Sequence, residues 1–137
     1  MLTIRAATID DVDAVVDLWN RAAGPTRHAG QTAEATVLLR RDPDALLVAE
    51  TDARIVGTLI VGWDGWRCHL YRLAVEPGVR RSGIARAMVD TARARANMLG
   101  AARLDAMVAT ENTAAVEFWE RAGFELDIAD RRWSLLL

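Results

Sequence analysis

A short segment of arginines and small residues follows an apolar run and carries the most informative chemistry of this sequence. It reads Arg80-Arg81-Ser82-Gly83-Ile84-Ala85-Arg86 and stands where a helix is expected to begin. The first turn of a helix exposes unpaired N–H groups and the positive end of the helix dipole, so it can bind a phosphate. Gly83 and Ala85 let a phosphate approach the backbone, and the arginines add positive charge. From these residues alone, a phosphate site and an ordinary helix start with surface arginines are equally open.

Four side chains that could carry a proton lie on or just after two predicted strands: His69, Tyr71, Glu76 and Glu111. The first two belong to one strand, and the glutamates follow the ends of this strand and of the next. A primary alkylamine is mostly protonated at neutral pH, so an enzyme that uses one as a nucleophile must remove a proton. Each of the four is a candidate for that task. The alternative for the glutamates is a solvated loop charge, and for Tyr71 it is simple packing.

Side chains alternate between the two faces of a strand, which indicates which of these candidates can lie together. His69, Tyr71, Leu73 and Val75 are expected on one face of their strand. Cys68 is adjacent to His69 and therefore faces the other way, which excludes a nucleophilic dyad of the two. Direct attack of an acceptor, with no covalent enzyme intermediate, is therefore expected.

Two tryptophans flank a carboxylate in the predicted turn before this strand. Trp63 and Trp66 stand on either side of Asp64-Gly65. Aromatic faces with a carboxylate suit a cation, so Trp63, Asp64 and Trp66 are candidates for the wall of an acceptor site. A turn stabilised by tryptophan is at least as good an interpretation.

Composition excludes several other chemistries. All seventeen basic residues are arginine, so the chain has no lysine. A Walker-type phosphate loop and Schiff-base catalysis both need a lysine and are therefore excluded. Neither Ser82 nor Ser134 lies in a Gly-x-Ser-x-Gly elbow. One cysteine and two scattered histidines give no metal-ligand spacing, so no metal is expected.

Length and charge favour one domain over residues 1–137. The chain has 137 residues and a net charge of −2, enough for a core of its own. The near-balanced charge argues against a nucleic-acid partner. No apolar run approaches the ~20 residues of a membrane span, and no leader is recognisable, so no membrane partner and a cytoplasmic location are expected.

The hydrophobic pattern predicts an α+β (α/β layered) domain in the order βααβββαβαββ. Thr8 and Asp11 form an acidic capping box, Gly100 ends the longest helix, and Asn112 caps the last one. Residues 24–31 are expected to form a loop. Strands are predicted at 2–6, 46–49, 55–61, 68–75, 104–109, 124–128 and 132–137, and helices at 12–23, 32–41, 82–99 and from 112 to Gly123.

Two motifs in this order resemble the GNAT superfamily of N-acetyltransferases. The first is Arg80-x-x-Gly83-x-Ala85, and the second is Asn112-x-x-Ala115-x-x-Phe118-Trp119-x-x-x-Gly123-Phe124. The resemblance implies a mixed, mostly antiparallel sheet whose fourth and fifth strands splay apart. Acetyl-CoA, as co-substrate, would lie in the gap. The residues implied to bind it are the backbone of Leu73, Ala74 and Val75, the segment from Arg80 through Arg81, Ser82, Gly83, Ile84 and Ala85 to Arg86, and Asn112, Phe118 and Trp119. A backbone N–H near Val75 would polarise the thioester carbonyl.

The sequence departs from the family at two catalytic positions. Many members carry a tyrosine acid where this chain has Trp119, and several carry a glutamate base where it has Tyr71. Trp119 is better explained by packing. The resemblance implies acetyl transfer to a primary amine of a small molecule, an amino acid or a peptide N-terminus. The alternatives are a catalytically weak acyl-CoA sensor and an unrelated phosphate-binding domain. The chain is expected to be a monomer, or a homodimer paired through 132–137.

Overall fold

The computed structural model describes residues 1–23, 31–109 and 111–137. The described chain falls into two compact units, Met1–Met107 and Val108–Leu137. One domain over residues 1–137 therefore stays a prediction. Apart from Gln31, which begins a helix, the predicted loop at 24–31 lies outside the described residues.

The first unit is built on a five-stranded sheet in chain order. Its neighbours pair antiparallel, except that the fourth and fifth strands run parallel. This confirms the predicted mixed, mostly antiparallel α+β fold. The strands are β1 Thr3–Ala6, β2 Leu46–Thr51, β3 Arg54–Trp63, β4 Cys68–Val75 and β5 Leu104–Ala106.

Three helices of this unit begin and end near the predicted positions. They are α1 Val12–Ala23, α2 Gln31–Arg41 and α3 Ile84–Leu99. The Thr8 amide donates to the Asp11 carboxylate at 2.8 Å, which confirms the capping box. Gly100 ends α3 in the left-handed conformation, with φ +83°, as its position predicted. No helix in the described ranges is long and apolar enough to cross a bilayer.

The helices cover both faces of the sheet. Apolar side chains of α1 and α2, among them Val15, Trp19 and Leu39, form one core cluster with Val48 and Ala74 of the sheet. On the opposite face, α3 lies over Gly57 of β3, where an added Cβ would come within 2.9 Å of the Met88 sulfur. This close approach fixes how near the start of α3 lies to the sheet.

The pairing of β4 with β5 is short. It joins residues 68–70 of β4 to residues 104–106 of β5 and then stops. Residues 71–75 of β4 continue beyond the last pair. This agrees with the predicted parting of the two strands.

The second unit contains one helix, α4 Thr113–Arg121. Its cap is as predicted, because the Asn112 side chain accepts a hydrogen bond from the Ala115 amide at 3.1 Å. The prediction of two strands at 124–128 and 132–137 is wrong. The structure has no strand there, and Leu126 and Trp133 are 85% and 93% exposed. Apolar alternation predicts a strand only if a neighbouring backbone completes the hydrogen-bond ladder, and within the described ranges none does.

Candidate functional site: a helix N-terminus beside a bulged strand

The chain leaves β4 through a tight connection that ends at an open helix N-terminus. A 3₁₀ turn over Pro77–Val79 follows the strand, and Gly83 is the N-cap of α3. The first hydrogen bond of the helix runs from the Ala87 amide to the Gly83 carbonyl at 3.0 Å. The N–H groups of Ile84 and Ala85 precede this bond, so they have no carbonyl one turn earlier in the helix.

Gly83 keeps the space in front of this helix end open. It adopts φ +85°, and no atom lies within 4 Å of the position that a Cβ would occupy. Arg81, two residues earlier, also has a positive φ of +66°. Ser82 donates its hydroxyl proton to the Val79 carbonyl, which closes the connection on itself. The open backbone and the helix dipole together form a site that can take an anion.

Arg80 has a bracing contact in addition to its charge. Its Nε donates to the Val75 carbonyl at 3.3 Å, and its Nη2 donates to the Ala22 carbonyl at 3.1 Å. It therefore ties the connection to the end of β4 and to the last turn of α1. A cation at the C-terminal end of a helix is also favourable electrostatically.

A β-bulge interrupts β4 inside the predicted site. Ile60 pairs with Tyr71, but Thr58 pairs with Ala74, so two residues of β4 oppose one residue of β3. Arg72, within the bulge, has φ +54°. The expectation that Leu73 and Val75 share a face with Tyr71 is therefore wrong. The extra residue reverses the alternation, and Ala74 shares that face instead.

Thr58 and Trp19 hold this bulge, and sequence reasoning missed both. The Thr58 hydroxyl is fully buried; it accepts from Trp19 Nε1 at 2.8 Å and donates to the Arg72 carbonyl at 2.9 Å. The Arg72 guanidinium lies 4.9 Å above the Trp19 ring. The sequence did offer one signal: Thr58 is a polar residue within the apolar run 55–61. A buried hydroxyl needs hydrogen-bond partners, so its position predicts a polar contact inside the core.

His69 and Tyr71 lie together on the α1 side of the sheet. Their ring centroids are 6.0 Å apart, and the tyrosine is 45% exposed. Asp105 of β5 is in register with His69, and its Oδ2 lies 3.9 Å from the imidazole Nδ1. Two of the predicted proton carriers are thus brought together, with a third group that the sequence did not indicate.

Glu76 is held by an ion pair. Its Oε2 lies 2.6 Å from Arg21 Nη2, and Arg21 Nε donates to its Oε1 at 3.3 Å. The hydrogen bonds from Arg21 hold the pKa of Glu76 below its usual value. A carboxylate with a lowered pKa is a weaker base, which places Glu76 behind His69 among the candidates.

The predicted acceptor wall carries a structural carboxylate. Asp64 Oδ1 accepts from the Trp66 and Arg67 amides, each at 2.7 Å. These backbone hydrogen bonds lower the pKa of Asp64, with that from Arg67 the larger cause. Trp66 is 72% exposed and stacks on the Arg67 guanidinium, and Trp63 ends β3. The carboxylate closes its own turn, and its role toward an acceptor stays a prediction.

Four predicted site residues belong to the second unit: Glu111, Asn112, Phe118 and Trp119. The Trp119 ring makes edge contacts with Phe118 at 5.3 Å and with Phe124 at 4.8 Å between centroids. Trp119 is therefore half-buried in an aromatic cluster of α4. The roles predicted for these four residues toward a cofactor or a proton stay predictions.

The remaining groups to place are Cys68 and any cluster of metal-binding side chains. Cys68 is fully buried, and burial raises its pKa. In the residues that the structure describes, no three His, Cys, Asp or Glu side chains gather where they could hold a metal ion.

Comparisons with known proteins agree with this geometry. Residues 12–124 match the model of the acetyltransferase (GNAT) family. An acetyltransferase of Pectobacterium atrosepticum is 32% identical over 124 residues, which cover 90% of this chain and 88% of that protein. One from Sodalis glossinidius is 30% identical over 125 residues, covering 91% and 88%.

Two solved structures share the fold. Ard1 of Thermoplasma volcanium superposes with a TM-score of 0.82 at 22% identity, covering 92% of this chain and 84% of that one. The aminoglycoside N-acetyltransferase AAC(6')-Iy, solved in complex with CoA, gives a TM-score of 0.83 at 17% identity, covering 98% and 95%. At these identities the likeness concerns the fold.

Proposed function

This chain belongs to the GNAT acetyltransferase family, and on that premise we propose that it transfers an acetyl group from acetyl-CoA to a primary amine. The acceptor class is a small molecule, an amino acid or a peptide N-terminus. The observation that carries the proposal is the open N-terminus of α3 at Gly83, which lies directly after the part of β4 that has left β5. A negatively charged head group and an extended arm can therefore be held by one continuous stretch of backbone.

The residues present fit acetyl-CoA. The amides of Ile84 and Ala85 would hold the diphosphate, with Arg81 and Arg86 adding charge. The backbone of 71–75, beyond the last pair with β5, would pair with the amides of the pantetheine arm as an added strand does. When bound, acetyl-CoA supplies an acetyl group already activated as a thioester. The predictions for Asn112, Phe118 and Trp119 come from the family resemblance.

The chain's own contribution to the reaction is removal of the acceptor's proton. Of the four predicted carriers, His69 has the best setting, because it is partly exposed and faces Tyr71 on the same side of the sheet. Histidine titrates close to neutral pH, which suits a general base. The Tyr71 hydroxyl can pass the proton between an acceptor and the imidazole. A backbone N–H near Val75 would stabilise negative charge on the carbonyl oxygen.

The second candidate function is an acyl-CoA-binding module with weak catalysis. The observation that favours it is Trp119, whose ring packs between Phe118 and Phe124 and offers no acid. An indole N–H donates a hydrogen bond but does not titrate near neutral pH. Thiols have a pKa of about 8.5, so a CoA thiolate can leave without strong acid help. For that reason the enzyme is the first proposal.

Two measurements test the proposal. Acetyl-CoA should raise the midpoint of thermal unfolding with a gain that grows as RT ln(1 + [L]/Kd), and S-acetylpantetheine, which lacks the diphosphate, should raise it far less. A thiol-release assay with a panel of primary amines, from about pH 7 to about pH 9, should then identify an acceptor. Binding without turnover at any pH supports the acyl-CoA-binding module, and absence of binding contradicts both.

A further inference from the structure

Asp105 faces His69 where β4 pairs with β5. The two residues are partners in the parallel register, so their side chains leave the sheet on the same side. Asp105 Oδ2 lies 3.9 Å from His69 Nδ1, and about a third of each side chain is exposed. This distance suits an ion pair and exceeds a hydrogen bond by about 1 Å. Hydrogen bonds at catalytic groups are often long before the substrate binds and then shorten.

We propose that Asp105 is a positioning residue for acetyl transfer, which keeps a proton on Nδ1 of His69 so that the lone pair of Nε2 can take the acceptor's proton through the Tyr71 hydroxyl. This inference rests on the proposed function. A neutral imidazole has two tautomers, and the hydrogen bond made by one nitrogen decides which is present. A carboxylate is only an acceptor, so it selects the tautomer with the proton on the nitrogen that it faces.

Among the described residues, Asp105 is the carboxylate that forms an ion pair with His69. Arg103 Nε lies 3.2 Å and 3.3 Å from the two carboxylate oxygens of Asp105, and it holds that carboxylate beside the sheet. The carboxylate of Asp64 also interacts electrostatically with His69, but its Oδ1 is taken by two backbone amides. Opposite His69, β3 presents only Gly62, which has no side chain. Tyr71 is another titratable neighbour, at 6.0 Å between ring centroids.

Two protons leave the acceptor nitrogen: one before it attacks, and a second that the leaving thiolate sulfur takes as the C–N bond forms and the C–S bond breaks. The acceptor ammonium gives the first proton to the Tyr71 hydroxyl oxygen as that hydroxyl gives its own proton to His69 Nε2; an N–H bond breaks, an Nε2–H bond forms, and the acceptor nitrogen keeps its electron pair. The imidazolium, with a proton on each nitrogen, is stabilised by the negative charge of the Asp105 carboxylate. Nε2 then returns its proton to solvent, and Nδ1 keeps its own throughout.

The first test reads the tautomer directly and needs no turnover. The chain has two histidines, so a His28→Gln background leaves the His69 imidazole as the only one in ¹⁵N NMR. At about pH 8, where histidine is ordinarily neutral, Nδ1 should carry the proton and Nε2 should not. Asp105→Asn should shift the population toward the opposite tautomer, whereas Asp44→Asn, which removes an exposed carboxylate elsewhere, should not. A proton on Nε2 before any change at Asp105, or equal spectra for the two variants, overturns the inference.

The second test asks whether Asp105 acts through His69. His69→Gln should lower kcat/KM about 100-fold or more, since a general base contributes at least that much, and Asp105→Asn should lower it about tenfold. The double variant should be no worse than His69→Gln alone, and Asp105→Glu should recover part of the loss. Losses that multiply in the double variant mean a separate structural role and overturn the inference. If no amine is a substrate, the proposed function fails, and the tautomer still decides the role of Asp105.

Discussion

Removing the Thr58 hydroxyl is the sharpest test of how this sheet holds its bulge. Thr58→Val keeps the shape of the side chain but takes a partner from the Trp19 indole N–H and from the Arg72 carbonyl. Thr58 is fully buried, so water cannot replace these hydrogen bonds. A buried polar group that loses its partner costs about 1–3 kcal/mol, which gives a loss of about 2–6 kcal/mol for the two groups. For a chain of this size, at about 3 °C per kcal/mol, that corresponds to a fall in Tm of about 6–18 °C.

Thr58→Ser is the matched control, because it keeps the hydroxyl and loses one methyl group. Its cost should be about 1 kcal/mol, the value of one buried methyl. Both variants are compared by thermal and urea unfolding at the same pH. Because Arg72 lies in the bulge, Thr58→Val should also lower kcat more than Thr58→Ser does. If Thr58→Val is as stable as Thr58→Ser, the two hydrogen bonds do not stabilise the bulge and the argument is refuted.

Three further predictions concern other parts of the first unit. Gly57→Ala would place a Cβ 2.9 Å from the Met88 sulfur. The substitution should lower the free energy of unfolding in urea by about 1–3 kcal/mol and weaken acetyl-CoA binding by displacing α3. Unchanged binding would contradict this. Cys68 should not react with a disulfide reagent until the protein unfolds, because it is buried and its pKa is raised, and rapid labelling of the native protein would count against that burial. Arg5 donates hydrogen bonds to Asp11 and so lowers the pKa of that carboxyl group. The Asp11 carboxylate therefore stabilises the fold fully above about pH 4, where an ordinary aspartate is ionised. This stabilisation is lost as the pH falls through the lower pKa of Asp11 in the folded protein. Arg5→Gln should therefore cost about 1 kcal/mol at neutral pH and progressively less below pH 4, and a deficit independent of pH would disprove the pairing.

The sequence predicted correctly those helix ends that depend only on neighbouring residues. The capping box at Thr8, the left-handed Gly100 and the cap at Asn112 each depend on residues within one helical turn, and all three are present. The open helix start at Gly83 follows from the same kind of reasoning. These features need no knowledge of the rest of the chain.

The features that the sequence did not indicate depend on contacts between distant segments. The bulge at Arg72 arises from the register between β3 and β4, and its anchor comes from Trp19, far away along the chain. Asp105 joins His69 only because β5 pairs parallel to β4. The prediction of two strands after Gly123 was wrong because it assumed a contact with another strand that the sequence pattern does not guarantee. Their apolar alternation is real, but a strand also needs a partner, which alternation does not supply.

The binding of acetyl-CoA to Gly83→Asn and Gly83→Asp tests the central claim most directly. Asparagine and aspartate both tolerate the positive φ of this position and differ only by a charge, which would point toward the proposed diphosphate. At about 5 Å and an effective dielectric constant of about 40, that repulsion is about 1.7 kcal/mol, or roughly a 17-fold difference in Kd. The account predicts that calorimetric titration gives a Kd for Gly83→Asp at least about tenfold above that of Gly83→Asn, both variants remaining folded. Equal Kd values for the two variants would contradict it, because the anion would then bind elsewhere.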